Sequence, residues 1–157
     1  LKGAKSIRDF TIEKNGKKLI GASSLWAVFN TKKRRPDILQ LDSSHIERFP
    51  NLKPTEVENS ILSIDFEPTE VVQYKVQFSD LDIVKHANNT KYLDWCLNII
   101  DPEIILKHRI KAIDMNFLKE LSLHDEIEIQ KLETEHLIQF KIVNQEKVNF
   151  VCRLELR

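Results

Sequence analysis

Cysteine is scarce in this chain, and the two present, Cys96 and Cys152, have no metal-ligand spacing. A reducing compartment with both thiols free is the simplest reading. Nor do histidine, cysteine and carboxylate fall at intervals that suggest a metal site, and no cofactor is expected. Charge of one sign is not in excess: 24 basic residues stand against 24 acidic ones, so no global field advertises nucleic acid. No apolar run approaches the roughly 20 residues of a membrane span. The opening L-K-G-A-K-S-I-R-D-F has no long apolar core of a signal peptide. The expected location is the cytoplasm, bacterial rather than plastid. What is present suits a soluble globular chain: 157 residues, 41% hydrophobic and 31% charged.

Glycine and proline are also absent from Ser79–Tyr92, S-D-L-D-I-V-K-H-A-N-N-T-K-Y, so this stretch is not an ordinary flexible loop. It gathers Asp80, Asp82, His86, Asn88 and Asn89 between two apolar segments. Upstream, Tyr74, Val76 and Phe78 alternate with polar residues, the period of a half-buried strand. Downstream, Lys91–Ile100 is apolar on nearly every side, which predicts a long helix buried all round. Asn88 or Asn89 is its natural N-cap, and Asp101-Pro102 starts a short second helix through His108. A helix N-terminus leaves backbone N–H groups free to hold negative charge, so the junction is the candidate site.

Before it, Ser6–Glu13 and Lys18–Asn30 read as two strands joined through Asn15-Gly16, where both residues tolerate positive φ. Gly21–Ser24 is small enough for something to pack close. Thr31–Pro36 carries four consecutive bases, either a solvated loop or a docking patch for an acidic partner. Asp42 or Ser43 is expected to cap a short helix through Phe49. Residues 50–70 read as a linker crossing a surface. After the helices come four strands, Arg109–Leu121, Asp125–Glu133, Leu137–Val143 and Lys147–Arg157, the first alternating around Ile113, Met115 and Phe117. The order from Val71 describes an α+β unit whose antiparallel sheet curls around one helix.

That order, with Asp80-Leu81-Asp82, His86-Ala87-Asn88-Asn89, Lys91-Tyr92-Leu93 and Trp95, resembles the acyl-acyl carrier protein thioesterase family of the hotdog fold. Arg8-Asp9-Phe10, Trp26, Arg34-Arg35-Pro36 and Phe117-Leu118-Lys119-Glu120 are similar to other segments of that family. The resemblance implies one complete hotdog repeat, residues 71–157, preceded by the closing hairpin and exit loop of a partial repeat, residues 1–49. It implies hydrolysis of fatty acyl-acyl carrier protein thioesters to free fatty acid. Asp82, His86 and Glu120 match positions assigned to catalysis, and Asn88, Asn89, Tyr92 and Trp95 are expected to contact substrate. Lys32, Lys33, Arg34 and Arg35 become candidate contacts for the acidic carrier. A homo-oligomer is expected to cover the apolar faces of the partial repeat. The sequence departs from the family at Val84, where an asparagine is usual, and at Leu121, where some members carry a cysteine. A non-catalytic acyl-thioester-binding module and a coenzyme A thioesterase are the alternatives. A hotdog dehydratase is disfavoured, because no Gly-Asp-x-Asn-Pro-x-His-like segment is present.

Overall fold

The computed structural model describes residues 5–30, 32–33, 35–38, 42, 44–45, 47, 49, 51–57 and 61–157. They fall into two compact units, Leu1–Ser60 and Ile61–Arg157. Among the described residues, no helix is long and apolar enough to cross a membrane.

In the first unit, β1 (Lys5–Lys14) and β2 (Lys17–Ala27) form an antiparallel hairpin. Its turn is Asn15-Gly16 with φ of 52° and 73°, the left-handed pair that a two-residue hairpin turn needs. The strand expected to run to Asn30 breaks at Val28. Phe29–Asn30 (β3) then pairs with Arg35–Pro36 (β4). Asn30 Oδ1 shapes that connection by accepting from the N–H groups of Lys32 and Lys33. The helix expected from Asp42 or Ser43 to Phe49 lies partly outside the described residues. Of those described, Ser44 and His45 make a turn, with Ser44 N–H bonded to Asp42 Oδ1.

Gly21 is the position where smallness is required. The carbonyl of Pro54 occupies the space a Cβ would take, and Lys18 Nζ donates to the same oxygen at 2.9 Å. Gly21→Val is expected to push the Pro54 segment off β2 and to destabilise this unit by about 1–3 kcal/mol. Urea unfolding followed by amide exchange on residues 17–27 would measure it; unchanged protection there would refute the close approach.

The second unit is a five-stranded antiparallel sheet in the order β5-β7-β8-β9-β6. Its strands are β5 (Glu70–Lys75), β6 (Ile110–Phe117), β7 (Glu126–Glu133), β8 (Leu137–Asn144) and β9 (Lys147–Leu156). Alternation decides the inner face. Ile129 faces Ile142, Phe140 faces Cys152, and Ile138 faces Leu154, all buried. Against this face lie α1 (Asn89–Leu97) and, after it, α2 (Pro102–Lys107).

Residues 61–69, read as linker, belong to this unit and cover the sheet's outer face. Leu62 is buried and donates from its N–H to Asn116 Oδ1, while Lys141 Nζ holds the carbonyls of Ile64 and Phe66. Lys131, on the inner face in line with Ile127 and Ile129, turns its Nζ to the carbonyl of Ile99 and lies 2.7 Å from Glu70 and 3.1 Å from Glu133.

Three expectations change. The helix is nine residues, not long, and only one side of it is buried: Tyr92, Trp95 and Cys96 face the sheet, while Leu97 is 37% exposed. Beyond Leu97 the backbone tightens into i to i−3 bonds from Ile99 to Cys96 and Ile100 to Leu97, which end the helix before Pro102. The strand through Phe78 stops at Lys75. Val76 is buried and pinned by Asp125 and His124, but a 3-10 turn follows and leaves Phe78 82% exposed. Ile113, Met115 and Phe117 do sit opposite the buried Leu154, Cys152 and Phe150, yet each is about 40% exposed because β6 is an edge strand with nothing beyond it in this unit.

Candidate active site

The junction from Asp80 to Asn89 is built by its own carboxylates. Asp80 is buried and works structurally: one oxygen accepts from the Tyr74 hydroxyl and from Gln77 N–H, both at 2.8 Å, and its carbonyl receives Asn88 N–H. Asp82 folds the next turn. Its Oδ1 accepts from Val84 N–H at 2.9 Å and His86 N–H at 3.3 Å, and its carbonyl from Lys85 N–H. Lys85 takes φ 67° in that turn, which brings His86 back beside Asp82. Asn88 then caps α1, its Oδ1 accepting from both the N–H and the hydroxyl of Thr90.

Glu120 arrives from the other side of the sheet sequence, on the turn after β6. Ala87 N–H donates to Leu121 carbonyl and His86 bridges to Ser122, so this turn is laced to the junction. The result is a contact of 3.5 Å between His86 Nε2 and Glu120 Oε2. Asp82, Val84, His86, Asn89, Tyr92 and Glu120 share one open cavity of about 210 Å³ with Ala87 and residues 117–119. His86 Nδ1 is buried with no hydrogen-bond partner among the described residues.

Tyr92 also lines the cavity. Its ring is 2% exposed, its hydroxyl accepts from Leu121 N–H at 3.1 Å, and burial pushes its pKa up to about 12. The phenol therefore stays neutral at any ordinary pH. The thiols are unsuited to attack. Burial raises Cys96 well above the usual range and Cys152 to about 12, and Leu121, beside Glu120, is fully buried.

The structure thus gathers Asp82, His86, Glu120, Asn89 and Tyr92 around one cavity. It separates others. Asn88 spends its side chain on the helix cap. Trp95, 4% exposed, lines a second hollow with Tyr74, Asp80, Lys91 and Asp94, its ring 5.2 Å from that of Tyr74. Lys32 and Lys33 form an exposed turn and Arg35 opens β4, all in the first unit; Arg34 lies outside the described residues. Sequence reasoning missed Asn149. In β9 it occupies what alternation makes a solvent-side position, so no spacing signal marks it, yet it is buried and bonds the Glu120 turn.

An antiparallel sheet with a helix laid on its inner face and a polar junction at that helix's start defines a hotdog-like fold. Solved structures agree. An acyl-ACP thioesterase from Bacteroides thetaiotaomicron superposes with a TM-score of 0.76 at 23% identity, over 100% of this chain and 65% of that one. A 12:0-ACP thioesterase from Umbellularia californica gives 0.75 at 17% identity, over 100% of this chain and 64% of the other. Residues 65–156 match the acyl-ACP thioesterase C-terminal domain, and the chain belongs to that family. A chloroplastic palmitoyl-acyl carrier protein thioesterase of Arabidopsis thaliana is 31% identical over 111 residues, 67% of this chain and 27% of that protein. A chloroplastic oleoyl-acyl carrier protein thioesterase of the same plant is 30% identical over 117 residues, 66% of this chain and 31% of the relative. The chain therefore spans less than a third of the length of these curated relatives.

Proposed function

We propose that this chain carries the catalytic part of a thioesterase that hydrolyses fatty acyl-acyl carrier protein thioesters to free fatty acid. The observation that carries the reading is the His86–Glu120 contact at 3.5 Å, with Asp82 lining the same cavity. Catalytic contacts are often long in unliganded sites and tighten around substrate. Glu120 takes a proton from water as the water oxygen attacks the thioester carbonyl. Asp82 holds the water or the thioester end, and His86 polarises or relays the proton. The carbonyl oxygen gains negative charge as the bond to water forms. At the helix start, Thr90 and Lys91 N–H are already bonded to Asn88, so Asn89 N–H receives that charge. The C–S bond then breaks, and the leaving thiolate of the phosphopantetheine arm takes up the proton that water gave and departs as the thiol.

In this reading residues 71–157 are a complete hotdog repeat, residues 50–70 the approach to it, of which 61–69 pack on its sheet, and residues 1–49 the closing hairpin and exit loop of another repeat. Ile7, Phe10, Ile12, Ile20 and Trp26 are all about half exposed or more on the hairpin, which supports burial against further protein, in a homo-oligomer of this chain.

Lys32, Lys33, Arg34 and Arg35 contact the acidic carrier. Replacing them by glutamate raises the KM for carrier-linked substrate roughly tenfold or more at low salt, a penalty that shrinks as salt screens the charges. An unchanged KM at low ionic strength would remove the carrier from that surface. One observation favours a second reading, a module that binds acyl thioesters without turnover: Val84 lines the cavity where an amide is usual, and His86 Nδ1 is unpartnered among the described residues. Steady-state hydrolysis of carrier-linked and coenzyme A-linked acyl chains tests all three. Faster turnover of the carrier thioester supports the proposal, faster coenzyme A turnover reassigns the substrate, and binding without turnover favours the module.

A further inference from the structure

Glu120 sits on a short turn after an edge strand, with its own side chain about half exposed. Such a turn holds a base in place only if its backbone is fixed from outside. Ala87 and Tyr92 hold the far end of the turn at Leu121, and the stretch from Leu118 to Glu120 is fixed by one residue. β6 stays in register with β9 to the pair Phe117–Phe150 and then leaves the sheet. On β9 the register with β8 skips there: Phe150 pairs with Ile142 and Val148 with Val143, so Asn149 is the extra residue of a bulge. Freed from the β8 ladder, the Asn149 carbonyl accepts from Leu118 N–H at 2.8 Å and from Lys119 N–H at 3.1 Å. Its side-chain Nδ2 donates to the Glu120 carbonyl at 3.3 Å. Three consecutive residues of the turn are thus hung on one.

Asn149 is also an uneconomical choice for packing. It is 4% exposed, and its Oδ1 is buried without a hydrogen-bond partner among the described residues. A buried acceptor left unmatched costs stability, and an apolar side chain of similar volume would avoid that cost. The backbone bonds to Leu118 and Lys119 need no particular side chain. Only the bond to Glu120 needs the amide.

We propose that Asn149 is a positioning residue that aims Glu120 at His86 through the Glu120 carbonyl. This rests on the reading of Glu120 as the base. Asn149→Leu removes the amide and keeps the branched skeleton of four heavy atoms; Asn149→Ser tests the same loss with a smaller, polar side chain. In the folded variants kcat falls about 100-fold, as a misplacement of an ångström in a reacting group does, while KM changes little. In a Glu120→Gln background the Asn149 substitutions cost no further kcat, because nothing remains for them to aim. The melting temperature of Asn149→Leu stays level or rises.

A second readout does not need turnover. His86 ring resonances, followed by NMR at fixed pH, shift in Glu120→Gln because the carboxylate leaves the ring. Both Asn149 variants are expected to reproduce most of that shift. Full kcat in Asn149→Leu, or His86 resonances that stay put there while Glu120→Gln moves them, would overturn the proposal. Resonances that do not respond even to Glu120→Gln would overturn it too, since the contact being positioned would be absent. If the unmutated chain turns over no thioester, the functional reading fails and the NMR comparison still decides the role of Asn149.

Discussion

Glu120→Gln is expected to lower kcat on an acyl-carrier thioester by about 10²–10⁴-fold, the range that removal of a positioned general base produces. Glutamine keeps the length and polarity of the side chain, so binding and folding are preserved and the change isolates proton uptake. Two neighbours give the prediction its shape. His86 Nε2 is 3.5 Å from the carboxylate, so His86→Gln, which in the proposed mechanism removes the group that polarises or relays, is expected to fall in the same direction. Asp82 is different, because Oδ1 already serves the turn through Val84 and His86 N–H. Asp82→Asn retains an oxygen that can accept those two bonds, and its loss of rate reports on charge. Asp82→Ala also unties the turn that returns His86 to the cavity. The alanine variant is therefore expected to lose more than the asparagine variant, with part of the loss visible as a lower melting temperature. Equal rates in Glu120→Gln and the unmutated chain would remove Glu120 from the chemistry and leave Asp82 as the one other carboxylate among the residues that line the cavity.

Much of this site was legible because its chemistry is local. Asp80, Asp82 and His86 lie within one turn-rich stretch, and the absence of glycine and proline there marked it as built rather than flexible. The caps at Asn88 and Asp101 were readable for the same reason: a cap bonds two residues ahead, at Thr90 and Glu103. The Asn15-Gly16 turn, too, is decided by two residues. What escaped depends on register between distant strands. Whether Ile113, Met115 and Phe117 are covered follows from β6 being at the edge, which no alternation reveals. Asn149 became a bulge only because β8 and β9 slip by one residue at that point. The helix was overread, since an apolar composition shows what is available to bury and not how many neighbours the fold supplies. Asp80 and Trp95 show the converse: both belong to the motif, and both hold the frame of the junction away from the shared cavity.

Tyr92 joins the two halves of that frame, and its replacement is expected to have the largest effect on stability. Its ring packs at centroid distances of 5.3 Å from Trp95, 5.6 Å from Phe117 and 5.3 Å from Phe150, and its hydroxyl receives Leu121 N–H beside Glu120. Tyr92→Ala removes the ring from a filled core and is expected to cost about 3–5 kcal/mol. Tyr92→Phe keeps the ring and strands one buried N–H, for about 1–3 kcal/mol. The measurement is urea unfolding in a Trp26→Phe background, so that Trp95 fluorescence reports on the second unit alone. The two variants also differ from the parent in their response to alkali. The phenol pKa is raised to about 12 in the folded chain, so the fold favours the protonated form. That contribution is complete below the ordinary tyrosine value of about 10 and is lost as pH rises through 12, amounting to about 2–3 kcal/mol across the window. Tyr92→Phe, less stable at neutral pH, should therefore lose less stability than the parent between pH 10 and 12, and the two curves should converge. Curves that stay parallel through that window would show that the buried hydroxyl at position 92 is not the group that titrates.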